Sequence, residues 1–111
     1  MLKKKNRIIS SVAFKEIFTK GEVKENRYFK IVFKKNNLDY PCYGIVVSTQ
    51  VSKLAVERNA LKRKIRNILR DFLLVFSKGF DVAIIVKRNC LKISFLKLKE
   101  SLQELLLKLS K

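Results

Sequence analysis

The chain has 111 residues, 48% of them hydrophobic and eight of them Phe, enough for a single domain with a real core. Its 26 Lys and Arg stand against nine Asp and Glu, a formal net charge of +17. Self-repulsion of that size ordinarily answers to a polyanionic partner: nucleic acid first, an anionic membrane surface second, an acidic protein third. The absence of His, with only Cys42 and Cys90 as thiols, excludes a four-ligand Cys/His zinc site, and nothing in their spacing suggests a disulfide framework.

In chain order, "MLKKKNRII" is a basic arm over residues 1–9 of one domain spanning 1–111. It has no apolar stretch of signal-peptide type, and no run approaches membrane-spanning length, so a cytoplasmic protein is expected. Both cysteines sit beside apolar runs and read as buried thiols in a reducing compartment. Residues 10–21 predict a short helix, with Ser10 as N-cap, Ile9 and Phe14 as a hydrophobic staple and Gly21 as the C′ stop. Phe14, Ile17 and Phe18 share one face.

"RYFKIVFK" (27–34) alternates as a half-buried strand, with Phe29, Ile31 and Phe33 on one side and Lys30, Val32 and Lys34 on the other. Residues 35–41 form a turn by their Asn, Asp and Pro content. "CYGIVVS" (42–48) is a second strand, and its continuous apolar run argues for a central position. A long helix follows over about 54–76, then Gly79, a third strand over 80–88, and an amphipathic helix over 93–110. Leu98, Leu102, Leu105, Leu106 and Leu109 form the stripe of that last helix. The order α-β-β-α-β-α predicts an α+β two-layer sandwich of helices on a small sheet. The segment through the long helix is a candidate crossover, whose strand order and hand the residues leave open.

The long helix has two faces. With Leu61 at zero and 100° per residue, Ile65, Ile68, Leu69, Phe72 and Phe76 fall between about −20° and +80°. Asn59, Lys62, Arg63, Arg66 and Arg70 fall between about 100° and 200°. Arg58 lies over the apolar stripe in the opening turn, where its long side chain can reach past the sheet edge. A charged face is often merely a solvated one, but solvated faces mix signs, and no acid occurs from residue 58 to 70. Such a face, about 18 Å long, suits the phosphates of a folded nucleic acid: Arg offers forked donors and Asn59 can bond sugar or base edges. The nine acids are scattered singly, and there is neither a His nor a glycine-rich phosphate loop. The chain alone is not expected to be an enzyme.

The run Arg58-Asn59, Lys62-Arg63, Arg66 resembles the Arg-Asn-x-x-Lys-Arg-x-x-Arg signature of the bacterial ribonuclease P protein subunit. "KNRI", "FKEIFTKG", "NRYFKIVF", "GIVVS", "FDVAIIVKR" and the leucine-rich last helix follow in the family's order. The resemblance implies a left-handed crossover at the signature helix. It also implies a subunit that leaves the chemistry to a catalytic RNA, which cleaves the 5′ leader from precursor tRNA with Mg²⁺. The partners would be that RNA, one protein per RNA, and precursor tRNA, with no metal held by protein residues alone. Arg58, Asn59, Lys62, Arg63 and Arg66 would face the RNA, with Arg70 extending their stripe. A leader-binding cleft would include Phe14, Phe18, Lys30 and Val32.

By the residues alone, Phe14 and Phe18 read either as core or, with Ile17 as anchor, as rings partly free to stack on a nucleotide. Lys5, Asn6 and Arg7 either line the same cleft or form an unstructured arm. The chain departs from the family pattern at Ala60, where a basic residue is usual. It departs also at Thr49 and Gln50, which replace paired lysines, and at Val32, aromatic in some members. A structural RNA-binding protein, such as a small ribosomal protein, and a nonspecific nucleic-acid coat are the alternatives.

Overall fold

A computed structural model of the chain describes residues 11–35, 42–72 and 79–108, without the side chains of 11–14, 71, 72 and 89. In chain order the elements are α1 (Ser11–Lys20), β1 (Glu22–Glu25), β2 (Phe29–Lys35), β3 (Cys42–Val46), α2 (Ala55–Phe72), β4 (Phe80–Val86), a 3₁₀ turn (Arg88–Lys92) and α3 (Phe95–Leu107). The strands form one sheet in the order β1-β2-β4-β3. β1–β2 and β2–β4 are antiparallel, and β3–β4 is parallel, so α2 is a crossover between parallel neighbours. The Ser10 cap, the Ile9–Phe14 staple, residues 36–41 of the expected 35–41 turn, the end of the long helix and Leu109 lie outside the described residues.

The α+β sandwich of helices on a small sheet is the architecture observed, with two additions. The first is β1, which the sequence reading left out because "EVKE" offers a single apolar residue. Its charges suit an edge, where they deter pairing with another chain. Its register comes from the turn. Asn26 Oδ1 accepts from the backbone N–H of Tyr28 (3.0 Å) and Phe29 (2.9 Å), and Asn26 Nδ2 donates to the Ser101 carbonyl in α3 (2.9 Å).

The second is a helix on each side of the sheet, which makes three layers where the sequence predicted two. Phe29, Ile31, Phe33, Val82, Ile84 and Tyr43 pack in the main core with Leu61, Ile65, Ile68 and Leu69 of α2 and Leu98, Leu102, Leu105 and Leu106 of α3. On the opposite face Ile17 of α1 packs with Val32 and Ala83. β2 is therefore buried on both faces at its centre rather than half-buried. The sequence also placed the second strand centrally, yet β3 is an edge. Its apolar run reflects cover by α2, which contacts it, and not strands on both sides.

Gly21 does end α1, for a reason of space. No described glycine has positive φ. A Cβ at Gly21 would collide with the Ile17 carbonyl, and would lie 2.8 Å from the Phe33 carbonyl and 3.0 Å from Val32 Cγ1. The missing side chain lets the end of α1 descend onto β2. α3 starts more conventionally, with Ser94 Oγ accepting from the Lys97 N–H (3.2 Å).

Candidate nucleic-acid interface

The loop before α2 fixes where its basic face begins. Ser52 Oγ accepts from the Leu54 N–H (3.1 Å) and donates to Glu57 Oε1 (2.5 Å). Glu57 lies in the first turn, where a carboxylate complements the helix dipole. Arg58 Nη1 donates to the Ser52 carbonyl (2.9 Å), so this half-buried guanidinium is braced against the loop. One of its five donors is used there, and the fork keeps others for a ligand.

Along the same helix Leu61, Ile65, Ile68 and Leu69 are buried, Lys62 and Arg66 are half-buried, and Asn59, Arg63 and Arg70 are exposed. The buried row fixes the rotation of α2, and that rotation turns the cationic row outward. Lys62 and Arg66 lie along the border between the two, their stems partly covered and their charges available.

On the other face of the sheet, Ile17 is fully buried while its neighbour Phe18 is 48% exposed. Ile17 is thus the anchor of α1, and Phe18 presents ring surface beside the sheet. Lys30 is half-buried, with Ile85 and Glu25 as its register partners. Val32 is 3% exposed beneath α1, which makes it floor and not surface. Lys5, Asn6, Arg7 and the Phe14 side chain lie outside the described residues.

The sequence reading missed a basic groove beside the start of α2. Arg27, Tyr28, Gln50, Val51, Arg88, Leu91, Lys92 and Ile93 line it, and it adjoins a hollow bounded by Thr49, Ser52 and Lys53. The Arg27 guanidinium stands 5.9 Å over the Tyr28 ring. Thr49 and Gln50 sit here, and the groove's cations come instead from Arg27, Lys53, Arg88 and Lys92. They stand far apart in sequence, in a turn, a loop and the 3₁₀ segment, so no local pattern groups them; only the fold assembles them.

Ionisable groups in the body of the fold hold structure. Lys87 Nζ lies 2.8 Å from Glu25 Oε2 and donates to the Asn26 carbonyl (2.7 Å). Hydrogen bonding to Lys87, then its charge, lowers the Glu25 pKa. Both cysteines are buried and unpaired with each other. Burial pushes the Cys90 thiol up to about 11, and its Sγ donates to the Tyr28 carbonyl (2.9 Å). Burial, then Asp81, raises Cys42. Among the described residues no three His, Cys, Asp or Glu side chains gather as a metal site, and no helix is long and apolar enough to cross a membrane.

A small basic α+β sandwich, with an acid-free arginine-rich helix face turned outward by its own core stripe, is the build of a nucleic-acid-binding module. The family model described as Ribonuclease P matches residues 2–110, and the chain belongs to that family, the protein component of a tRNA-processing ribonuclease. A ribonuclease P protein component from Pseudanabaena sp. is 36% identical over 110 residues, covering 97% of this chain and 94% of the relative. That of Thermotoga petrophila is 46% identical over 76 residues, which span 68% of this chain and 64% of the relative, just under two thirds of its length. The solved Staphylococcus aureus RNase P protein superposes with a TM-score of 0.84 at 29% identity, covering 96% of this chain and 95% of that one.

Proposed function

We propose that this chain is the protein subunit of a ribonuclease P whose RNA partner does the chemistry. In this reading Arg58, Asn59, Lys62, Arg63, Arg66 and Arg70 hold phosphates and sugars of the catalytic RNA. The cleft between α1 and the sheet, with Phe18 at its lip and Lys30 beside it, receives the 5′ leader of precursor tRNA. Phe14 is assigned to the same cleft by its place in the family pattern, and the basic arm residues Lys5, Asn6 and Arg7 are assigned to line it with their charge. Val32 contributes by supporting α1 from below.

The observation that carries the proposal is the cationic row of α2, held outward by four buried aliphatic residues and free of acids from residue 58 to 70. Phosphate repulsion between a catalytic RNA and its RNA substrate is severe. Each cation placed between them releases counterions and lowers the salt needed for binding. Mg²⁺ belongs to the RNA in this scheme, and the protein reduces how much is needed. Stacking on Phe18 tolerates any base, which fits a leader of variable sequence. One protein serves one RNA.

Reconstitution tests this. The full chain is expected to restore precursor-tRNA cleavage by its cognate RNA at low Mg²⁺, where the RNA alone is slow. Failure to stimulate cleavage there would overturn the proposal, and preferential binding to ribosomal RNA would point to a structural ribosomal role.

A further inference from the structure

We propose a second RNA-phosphate subsite, a lysine-rimmed hollow over the Phe33–Phe80 pair that extends to the sheet edge opposite β3. The inference rests on the chain being an RNA-binding subunit. Lys20, Lys24, Lys34, Lys35 and Lys108 line this hollow, with Glu22 as the single carboxylate in the lining. Five cations less one anion leave a charge of +4 on the lining. Lys34 also meets Glu16 at 3.3 Å.

These lysines come from four elements: the last residue of α1, the edge strand β1, the end of β2 and the cap of α3. They are scattered along the sequence, so their concentration is a product of the fold. Closely spaced ammonium groups repel, and a bound polyanion relieves that repulsion. The floor is apolar. Phe33 and Phe80 meet edge to face, with centroids 6.0 Å apart, Phe33 buried and Phe80 half-buried. An apolar floor excludes water from one side of the rim and strengthens each charge contact above it. Lysine is a point charge without the planar fork of arginine, and suits a phosphodiester backbone held without base readout.

The position argues for a distinct RNA segment. The sheet order puts Lys24, on β1, at the opposite edge from β3, which lies under α2, with the Phe33–Phe80 floor on β2 and β4 between them. Three strand spacings are about 14 Å, and helix α3 lies over β2. A rigid duplex lying along the α2 stripe would not also enter the hollow. A single strand, or a second element of the same RNA passing the β1 edge, would.

The test uses the full chain and a fluorescein-labelled short oligouridylate, with anisotropy followed across a range of salt. A Lys24→Gln/Lys108→Gln variant is compared with Lys97→Gln/Lys99→Gln, which removes equal charge from α3 outside the hollow, and with Arg63→Ala/Arg66→Ala on α2. The Lys24/Lys108 variant is expected to bind several-fold more weakly and to flatten the slope of log affinity against log salt by about 1.4, or about 0.7 per lost contact. The Lys97/Lys99 variant is expected to lose less than half of that. Equal losses from the two lysine pairs would mean general charge alone and would overturn the subsite. Binding lost only with the α2 variant would overturn it too, while leaving the RNA-binding reading intact. No binding by the wild-type chain would overturn both. Amide shift mapping on the wild-type chain is independent of variant folding: shifts at Lys24, Phe80 and Lys108 are expected on adding the oligonucleotide, and their absence refutes the subsite.

Discussion

Replacing Gly21 with Ala should lift α1 from the sheet and show how closely the proposed leader cleft depends on that contact. The added Cβ would meet two backbone carbonyls, those of Ile17 and Phe33, and Val32 Cγ1 at 3.0 Å. A side chain can rotate away, but a carbonyl in a strand bonded on both sides cannot. Because the N–H of Gly21 also donates to the Ile17 carbonyl (2.8 Å), the strain falls on the end of the helix itself. Overpacking of this kind costs about 1–3 kcal/mol. The lower unfolded-state entropy of Ala returns about 0.4–1 kcal/mol. The expected net loss is about 1–2 kcal/mol, a fall in Tm of about 5–12 °C for a domain of this size. Urea unfolding at constant m, together with a thermal melt, measures it. Binding of a leader-bearing precursor should weaken more than binding of tRNA without a leader, since Ile17 and Phe18 move with the helix. A variant as stable as the wild type, with unchanged leader preference, would refute the close-approach argument.

Three further outcomes are expected. Phe18→Ala should cost under about 1.5 kcal/mol of stability, as the ring is only half-buried. It should weaken leader binding by about 1–3 kcal/mol in a comparison of precursors with and without leaders, and an equal effect on both would assign the ring to packing. Asn26→Ala removes three side-chain hydrogen bonds, two that close the β1–β2 turn and one that ties it to α3. At about 1 kcal/mol each, plus orphaned backbone groups, the loss should be about 2–4 kcal/mol by urea titration, and under 1 kcal/mol would deny the turn its role. Stability should also fall on the alkaline side. Cys90 is raised from 9.0 to about 11 by burial, and Tyr43 is raised further for the same cause. The unfolded chain ionises first, so the contribution of these two groups is flat below about pH 9 and declines from about pH 9 to 11 and beyond. A flat profile to pH 11 by thermal melting would contradict the burial of both groups.

The elements that could be read from sequence are those whose signal is local. The α2 stripe is visible because hydrophobic and basic positions each repeat at the helical period, and the structure buries Leu61, Ile65, Ile68 and Leu69 as that period requires. The leucine row of α3 and the alternation of β2 are legible for the same reason. β1 is not, because its pairing energy lies in backbone hydrogen bonds to β2, and in a turn bracketed by Asn26, that leave no hydrophobic trace. The place of β3 at the edge was misread because an apolar run reports burial, and cover by a helix produces the same run as neighbouring strands on both sides.

Sequence alone determined the charge, the helix that sets part of it in an ordered row, the anchoring of that helix and the family signature. These are properties of near neighbours along the chain, set by 3.6-residue and two-residue periods. Tertiary structure decided which cations share a surface. Arg27, Lys53, Arg88 and Lys92 meet beside α2 because a turn, a loop and a 3₁₀ segment end at the same edge. The lysines over Phe33 and Phe80 meet because the ends of α1, β2 and α3 and the start of β1 share one corner. Coulomb energy depends on distance in space, and only the fold converts separation in sequence into that distance.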